Sequence, residues 1–375
     1  MVETVVGTVN AADFQKQGGT NASGFFRPLT LFWYIMRFCS RSGQQVNVKI
    51  LDRKQTTDAR HPANSIPSPE EISAAAAPLL NLSVLRFRVH FKAGAPFFPA
   101  EAGAEVRGKL GHQLKQVFCP LHSENGSRDV CPGCAFLFRC PYIALFEPRG
   151  RDDGRRNAPV PFVFSVDGPD LETRRMTPGE RGAVRFSLFG PGISEYREFS
   201  EAAVRALGRM SLHPLPPELV DGGAGSLSSL LDSDEENAAG DPESVVIRFV
   251  TPFQIRIQGK AIREEDLRFS HLVQALVRRM RDLRRTFGTA PDMGRVDAGF
   301  YRAAEAVEVM DRRIVWTRRA RFSTRQDRRA VFLNGLTGAI RVRGPVRGFL
   351  PLLRAGEIVH VGKKTSAGNG RVLIS

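Results

Sequence analysis

The clearest strand pattern of the chain lies in residues 82–91, which run Leu82-Ser83-Val84-Leu85-Arg86-Phe87-Arg88-Val89-His90-Phe91. From Leu85 onward every second residue is apolar, and the residues between them are basic. A period of two is typical of a β-strand, because successive side chains point to opposite faces of the sheet. We therefore predict a strand with one apolar face and one basic face.

A helix is predicted directly after this strand and the turn at Pro96 to Pro99. Residues 101–118 place apolar side chains on one helical stripe and basic side chains outside it. The stripe is Val106, Leu110, Leu114 and Val117, and the basic set is Arg107, Lys109, His112 and Lys115. Strands at Val160–Val166 and Val184–Phe189 and a helix at Ile193–Met210 follow. The predicted order is β-α-β-β-α, with the last strand unassigned.

The same kind of pattern starts again near residue 245. A strand-forming run, Val245–Ile257, is broken at Pro252, and an amphipathic helix covers Ser270–Phe287. A helix is then predicted at Phe300–Met310, and strands at Ile314–Trp316, Ala339–Val342 and Glu357–Val361. Two such units predict an α+β protein of tandem ferredoxin-like (RRM-like) domains. Each has an antiparallel sheet with helices on one face and the other face free for RNA.

The predicted domain boundaries follow from composition. Residues 1–79 lack a sustained period and form either an N-terminal extension of unknown role or a sequence begun at too early a start codon. The first domain is 80–213 and the second is 244–375. Between them, residues 214–243 are rich in Gly and Ser, and eight acids with no Lys or Arg occur between His213 and Arg248. We predict an acidic, solvated linker there.

The net charge favours a polyanionic partner. The chain carries +15 at pH 7, and residues 244–375 contain 27 basic residues, 24 of them Arg, against 11 acidic ones. Nucleic acid is the leading partner and an anionic membrane surface is second. The sequence has no uninterrupted apolar stretch of about 18 residues, so we expect no membrane association. Few cysteines and no secretory segment favour the cytoplasm.

Four of the five cysteines have the spacing C-x11-C-x2-C-x5-C, formed by Cys119, Cys131, Cys134 and Cys140. Four thiolates with an internal CxxC suit a tetrahedral structural zinc site. Such a site has no open coordination position, so the zinc would be structural and the protein would have no catalytic metal. The alternative is a set of reduced thiols without metal. Cys39 stands apart from the cluster.

Several separated motifs resemble a known family. The C-terminal run Leu352–Arg371, LLRAGEIVHVGKKTSAGNGR, resembles the glycine-rich loop that ends the CRISPR repeat-processing endoribonucleases of the RAMP superfamily. The motifs Arg321-Phe322-Ser323-Thr324-Arg325-Gln326 and Gly335-Leu336-Thr337-Gly338 are similar to conserved features of that family, as are Phe249–Pro252, Phe186–Gly190, Arg107–Gly111 and Cys140–Glu147. The resemblance covers about residues 80–375.

This resemblance implies a pair of ferredoxin-like folds that binds CRISPR repeat RNA and cuts precursor crRNA once, without a metal, in antiviral defence. The RNA's own 2′-hydroxyl is the nucleophile, and the products carry a 2′,3′-cyclic phosphate and a 5′-hydroxyl. In the wider superfamily the catalytic histidine lies in or just after the first helix. This implies His112, with Lys115 nearby, or His122. His360 and His90 are reserves, each with an ordinary structural alternative. Tyr142 either orients the scissile phosphate or belongs to the core.

The predicted RNA-binding residues combine backbone access with positive charge. Glycines let backbone N–H groups approach a phosphate closely, and Lys and Arg supply charge. The residues are Arg278, Arg281, Arg285, Arg321, Ser323, Arg325, Gln326, Gly362, Lys363, Lys364, Gly368, Gly370 and Arg371. The alternative is a structural role for each group. The glycine-rich loop would be an ordinary turn, the motif at 321–326 a hydrogen-bond network, and the arginines at 278–285 a solvated helix face.

The rival functions are a non-catalytic crRNA-binding subunit, partnered by the other subunits of a CRISPR effector complex, and a general RNA-binding protein. The sequence leaves the repeat sequence, product release and oligomeric state open.

Overall fold

The computed structural model describes residues 65–119, 134–136, 139–148, 158–168, 175–232, 244–288, 296–318, 320–323 and 329–375, all within one unit of the chain. Residues 1–64 of the predicted N-terminal extension lie outside these ranges. So do four predicted site residues, His122, Cys131, Arg325 and Gln326. Arg321 and Ser323 are described by their backbone only.

The described elements alternate helices and strands along the chain. The helices are α1 (Pro69–Ala76), α2 (Gly103–Phe118), α3 (Pro141–Phe146), α4 (Pro191–Ser194), α5 (Tyr196–Gly208), α6 (Leu227–Asp232), α7 (Phe269–Phe287), α8 (Ala298–Glu305) and α9 (Leu350–Val359). The strands are β1 (Ser83–Ala93), β2 (Phe162–Asp167), β3 (Arg181–Phe189), β4 (Leu212–Ser226), β5 (Ser244–Phe253), β6 (Arg256–Ile257), β7 (Lys260–Ala261), β8 (Glu308–Thr317), β9 (Ala320–Ser323), β10 (Arg329–Phe332), β11 (Gly335–Arg343) and β12 (Val372–Ile374).

Both halves have ferredoxin-like topology. In the first, the order β1-α2-β2-β3-α5-β4 forms an antiparallel sheet with the spatial order β2-β3-β1-β4. In the second, β5-α7-β8-β11-α9-β12 forms an antiparallel sheet with the order β12-β5-β11-β8. In each sheet the first strand of the unit lies between the third and the fourth, which is the split β-α-β arrangement. The predicted tandem fold with open antiparallel sheets is confirmed.

Phenylalanine side chains fill the core of the first domain. Phe87 and Phe186 are fully buried and stack with ring centroids 4.9 Å apart, and Phe199 of α5 meets Phe186 edge-on at 5.7 Å. Aromatic pairs of this kind contribute about 0.5–1.5 kcal/mol beyond the burial of their area. The apolar face predicted for residues 85–91 therefore points into this core, and helices α2 and α5 cover it.

The basic face of the same strand points away from that core. Arg88 and His90 both approach the Glu218 carboxylate on β4, at 3.6 and 3.0 Å. β4 is an edge strand that pairs with β1 across residues 212–226. An acid on the edge strand thus meets the basic face of its neighbour.

Strand β4 and helix α6 occupy much of the interval predicted as an acidic linker, 214–243, so this prediction is wrong for residues 214–232. An edge strand tolerates prolines and can have one face of polar side chains. The composition of this segment therefore resembles that of a linker although the segment forms a strand. Leu227, Leu230 and Leu231 of the following segment are buried in the core of the second domain. Residues 233–243 lie outside the described ranges.

The end of the predicted N-terminal extension belongs to the same core. Helix α1 begins with a capping box in which Ser68 and Glu71 exchange side-chain and backbone hydrogen bonds. Its buried Ile72 and Ala76, with Leu79, pack in the core of the second domain. Residues 69–80 are therefore part of the fold and not an appendage.

Three predicted elements differ from the structure. Residues 357–361 were expected as a strand, but residues 357–359 form the last turn of helix α9, because Leu352, Leu353, Ile358 and Val359 are spaced for burial on one helical face. The helix predicted to reach Met310 ends at Glu305, and strand β8 starts at Glu308. Strand β5 runs through Pro252 to Phe253. No described helix is long and apolar enough to cross a membrane.

Candidate nucleic-acid interface

The glycine-rich segment after α9 folds back on itself through backbone positions with positive φ. These positions are His360 (54°), Gly362 (92°), Lys364 (62°), Gly368 (79°) and Gly370 (72°). Glycine adopts such angles without steric cost, whereas L side chains resist them. The segment therefore forms a tight loop that returns the chain to strand β12.

Close backbone packing also requires two of these glycines. A Cβ on Gly370 would overlap the carbonyl oxygen of Val361, and a Cβ on Gly362 would lie 2.5 Å from the carbonyl oxygen of Gln254. The amide of Lys363 donates to Gln254 at 2.9 Å, and the amide of Gly370 donates to the Pro252 carbonyl at 3.1 Å. The loop is thus held against the end of β5.

Three predicted RNA contacts are buried instead. Gly368, Gly370 and Arg371 belong to the buried part of the loop, with Arg371 only 5% exposed. The Thr251 hydroxyl donates to the Gly368 carbonyl at 2.7 Å and accepts from the Arg371 amide at 2.9 Å. These residues hold the loop in place, whereas Lys363 and Lys364 of the same loop are exposed.

Arg371 ties the two domains together. Its guanidinium lies 2.7 Å from the Asp167 carboxylate at the end of β2, and the same carboxylate lies 3.2 Å from Arg185 of β3. Burial lowers the pKa of Arg371, which the neighbouring Asp167 partly offsets. Because an uncompensated buried charge is costly, the Asp167 carboxylate stabilises this buried guanidinium.

A cleft of about 770 Å³ lies between the domains beside the exposed lysines. The first domain contributes residues around α3 and β2, and the second contributes residues of α7 and the glycine-rich loop. Its cationic lining is Arg107, Arg256, Arg278, Arg279, Lys363 and Lys364, and its described carboxylates are Glu147 and Asp282. The excess of positive charge makes this cleft suitable for a polyanion.

Arg107 joins the cleft wall to the loop. Its guanidinium lies 4.2 Å from the centroid of the Phe146 ring, and it donates to the carbonyls of Ser366 (3.3 Å) and Phe146 (3.4 Å). Gly103, one turn earlier on α2, has no room for a Cβ because the Ala367 backbone lies against it. The first half of α2 is therefore in direct contact with the glycine-rich loop.

The arginines of α7 have divided roles. Arg278 and Arg285 are exposed and Arg281 is partly exposed, in agreement with the predicted surface set. Arg278 also lines the cleft, together with Lys363 and Lys364. Arg279 donates to the Val359 carbonyl at 3.3 Å, and the buried Arg284 donates to the Asn81 carbonyl at 3.1 Å. These last two arginines are structural.

Residues 321–323 of the motif at 321–326 lie in β9, which pairs with β10. Arg321 and Ser323 lie in β9, while Arg325 and Gln326 fall outside the described residues. The Lys364 side chain donates to the carbonyl of Phe332 at the end of β10. The hairpin therefore adjoins the glycine-rich loop, and RNA contact by this motif stays a prediction.

The predicted catalytic pair lies further along α2. His112 is exposed and Lys115 is partly exposed, one turn later. His112 is five residues beyond Arg107, about 7.5 Å along the helix axis at 1.5 Å per residue. None of the described histidines lines the cleft itself. His112 thus lies on the helix that borders the cleft, beyond its Arg107 end.

The two reserve histidines have structural surroundings. His360 is 2% exposed, and one ring nitrogen, Nδ1, lies 3.3 Å from the Asn369 carbonyl. Burial, with the nearby Arg371 and Arg279 charges, lowers its pKa to about 3. His90 lies on β1 against Glu218, at 3.0 Å. Neither is placed to act in the cleft.

Tyr142 is a core residue whose hydroxyl points toward the cleft wall. It is 6% exposed, and its hydroxyl donates to Glu147 at 2.7 Å. Glu147 lines the cleft. The ring also stacks on Phe146 with centroids 5.7 Å apart. The tyrosine therefore orients a carboxylate that faces the cleft.

Cys119, Cys134 and Cys140 are partly exposed and form no disulfide. Within the described ranges, no group of three or more His, Cys, Asp or Glu side chains is arranged to hold a metal ion. The fourth predicted ligand, Cys131, lies outside those ranges. The structural zinc site therefore stays a prediction.

Sequence reasoning missed three cleft residues. Arg107 stands in a motif quoted above, but its position on the polar side of α2 did not distinguish it from Lys109. Arg256 was placed in a strand, and Arg279 was grouped with the surface arginines of α7. Their shared location depends on how the two domains pack, which no local pattern encodes.

Residues 247–372 match the family model for the CRISPR-associated endoribonuclease Cas6. This match covers the second domain. The matched region contains α7, the β9–β10 hairpin and the glycine-rich loop, and it thus contributes Arg278, Lys363 and Lys364 to the cleft. Residues 80–213 match a second model, the N-terminal domain AF_1859_N.

Solved structures with similar folds include Cas6 proteins. Thermus thermophilus Cas6 (TTHB231) is 17% identical, with 78% of this chain and 99% of that chain covered and a TM-score of 0.45. A chain of a partial Cas6-RT-Cas1–Cas2 complex is 14% identical, with 78% and 46% covered and a TM-score of 0.48. An RAMP protein binding different RNA substrates is 12% identical, with 78% and 99% covered and a TM-score of 0.40. Comparison with curated proteins gave no match.

Proposed function

We propose that this protein is an endoribonuclease that binds CRISPR repeat RNA and cuts precursor crRNA within the repeat. The observation that carries the proposal is the basic cleft between the domains, lined from both sides and bordered by the glycine-rich loop of a Cas6-family domain. Phosphate neutralisation supplies much of the affinity of proteins for nucleic acids. Six cationic side chains in one cleft match that need.

The exposed cations define the RNA path. Lys363 and Lys364 are exposed on the loop, and Arg278 is exposed on α7 across the same cleft. Arg285 lies seven residues after Arg278, which is two helical turns, so it extends the basic line beyond the cleft. An RNA strand that follows this line passes from α7 over the loop toward the Arg107 end of α2.

The chemistry we propose is metal-independent. A 2′-hydroxyl attacks the adjacent phosphorus, the 5′-oxygen leaves, and the products carry a 2′,3′-cyclic phosphate and a 5′-hydroxyl. This transfer needs a base at the 2′-oxygen, an acid at the 5′-oxygen and a cation for the developing charge. His112 would take one proton role, because histidine exchanges protons near neutral pH, and Lys115 would supply charge. His122 is the alternative to His112.

The position of His112 limits where the cut phosphate lies. His112 is about 7.5 Å along α2 from Arg107, which donates to the glycine-rich loop. The scissile phosphate would therefore sit beyond the Arg107 end of the cleft, and the cleft would hold the flanking nucleotides. Binding and cutting would then depend on different residues.

The decisive experiment uses labelled repeat RNA from the protein's own locus, in EDTA, beside RNA with a 2′-deoxy substitution at the cut position. We expect one cut in the first RNA and none in the second. His112→Ala and His122→Ala are each compared with His90→Ala, a first-domain histidine that faces Glu218 outside the cleft. We expect at least one of the first pair to lose cleavage by a factor of about 100 or more, with unchanged affinity.

A non-catalytic crRNA-binding subunit of a CRISPR effector complex is the second candidate. It is favoured by one observation, the absence of any histidine among the described residues that line the cleft. Tight and repeat-specific binding without cleavage of the unmodified RNA would establish this candidate. Equal affinity for unrelated structured RNAs would instead indicate a general RNA-binding protein and contradict both proposals.

A further inference from the structure

A second cavity, separate from the basic cleft, lies in the seam between the two domains. It has a volume of about 160 Å³. Strands β1 to β3 of the first domain contribute one wall, and helix α9, the glycine-rich loop and β12 contribute the other. At about 30 Å³ per water molecule, the space is large enough for a small polyatomic ion with some water.

The lining of this seam cavity is strongly basic. Of its described lining residues, four are arginines and one is a carboxylic acid: Arg86, Arg185, Arg354, Arg371 and Glu357. Glu357 lies 3.6 Å from Arg354 and also accepts from the amide of Ile374. Asp167 pairs with Arg185 and Arg371 from outside the lining. Among the described residues, four guanidinium groups and two carboxylates thus lie at or beside this cavity.

Unused hydrogen-bonding capacity accompanies this charge. The Nε of Arg185 is buried and has no hydrogen-bond partner within the described part of the chain. A buried donor without a partner costs about 1–3 kcal/mol. Ser165 and Ser187, which are buried polar residues of β2 and β3, line the same space. A bound oxyanion would accept hydrogen bonds from donors of this kind.

His360 adds no charge to the seam cavity at neutral pH. Burial and the nearby Arg371 lower its pKa to about 3, so the imidazole is neutral. With Nδ1 donating to the Asn369 carbonyl, Nε2 is the acceptor nitrogen. The described cavity wall therefore carries guanidinium groups, one carboxylate, serine hydroxyls and one neutral imidazole.

We propose that the seam cavity is a binding site for a tetrahedral phosphate group. Guanidinium groups bind phosphate oxygens in forked pairs, and several of them around a small cavity select a multiply charged anion over chloride. The phosphate comes either from free inorganic phosphate or from the backbone of the RNA.

The proposal is independent of RNA cleavage. Binding of inorganic phosphate requires neither a cut nor a repeat sequence, so the seam cavity and the proposed function can fail separately. An anion in the seam cavity would also stabilise the contact between the two domains, because both of them line the cavity.

Thermal unfolding of the full chain tests the site, in inorganic phosphate against chloride at the same ionic strength and pH. We expect phosphate at about 100 times its Kd to raise the Tm of the wild type by about 5 °C. Arg185→Gln and Arg354→Gln should each lose most of this rise. Arg205→Gln is the control, because Arg205 is exposed on α5 and pairs with Glu201. Calorimetric titration of the wild type with phosphate gives the stoichiometry without any variant.

The same proteins distinguish the two sources of phosphate. If inorganic phosphate weakens repeat RNA binding by the wild type but not by Arg354→Gln, the site holds a backbone phosphate of the RNA. If phosphate stabilises the wild type without competing with RNA, the site holds the free anion. Either result supports a phosphate site. No binding in the calorimeter, or equal stabilisation of all four proteins, overturns it.

Discussion

Acidification should destabilise the folded chain through one buried side chain, His360. Its folded-state pKa is about 3, lowered by burial and by the Arg371 charge, against about 6.5 in the unfolded chain. Between these values the unfolded state binds more protons, so stability rises with pH and falls as pH drops below 6.5. At pH 5.0 the loss amounts to 1.5 pH units at about 1.4 kcal/mol each, or about 2 kcal/mol.

The assay compares urea unfolding at pH 7.5 and pH 5.0 for the wild type and His360→Asn. Asparagine cannot titrate, keeps an N–H donor for the Asn369 carbonyl, and is one of the side chains most often found at positive φ. The variant starts less stable, so the informative quantity is the change with pH. We expect the wild type to lose about 2 kcal/mol more than the variant between the two pH values. Equal losses would mean that the pKa of His360 in the folded protein is close to its value in the unfolded chain.

Three further outcomes are expected. Replacing both exposed loop lysines, Lys363→Gln and Lys364→Gln, should weaken repeat RNA binding and reduce the slope of log K against log salt by about 1.4 to 1.8, whereas an unchanged slope would remove them from the interface. Gly370→Ala should lower the free energy of unfolding by about 2 kcal/mol or more, because the φ of residue 370 is 72° and the added Cβ has no room. Urea unfolding measures this loss, and a free energy of unfolding within about 0.5 kcal/mol of the wild-type value would contradict the prediction. Elemental analysis of purified protein should give one zinc per chain, lost in Cys119→Ser and Cys140→Ser; a metal-free wild type would leave the cysteines as ordinary thiols.

The topology was largely accessible from local pattern, because a sheet or helix with one buried face imposes its period on the chain. The alternation in residues 85–91 predicts a strand, and the apolar stripe of α7 predicts a helix. In the structure the apolar faces of both elements are buried. Where the pattern was ambiguous, prediction failed. The run Glu357–Val361 is apolar and β-branched, so its period does not separate strand from helix, and packing of α9 selects the helix.

The roles of individual charged residues could not be predicted from local pattern. Composition located the excess of arginine in the second domain, which predicts a polyanion as the partner, but it could not assign roles to individual arginines. Arg278 is exposed in the cleft, whereas Arg284 and Arg371 are buried among carbonyl or carboxylate partners. Their neighbours lie more than 200 positions away in the chain for both buried residues.

Local sequence thus specified the two sheets and the glycine-rich loop, because each depends on residues close together in the chain. The basic cleft, the seam cavity and the burial of His360 arose only when the two domains packed together. Charge and hydrogen-bonding capacity are properties of a side chain, but exposure is a property of its surroundings. Which arginines are exposed in the cleft was therefore settled by the docking of one domain on the other.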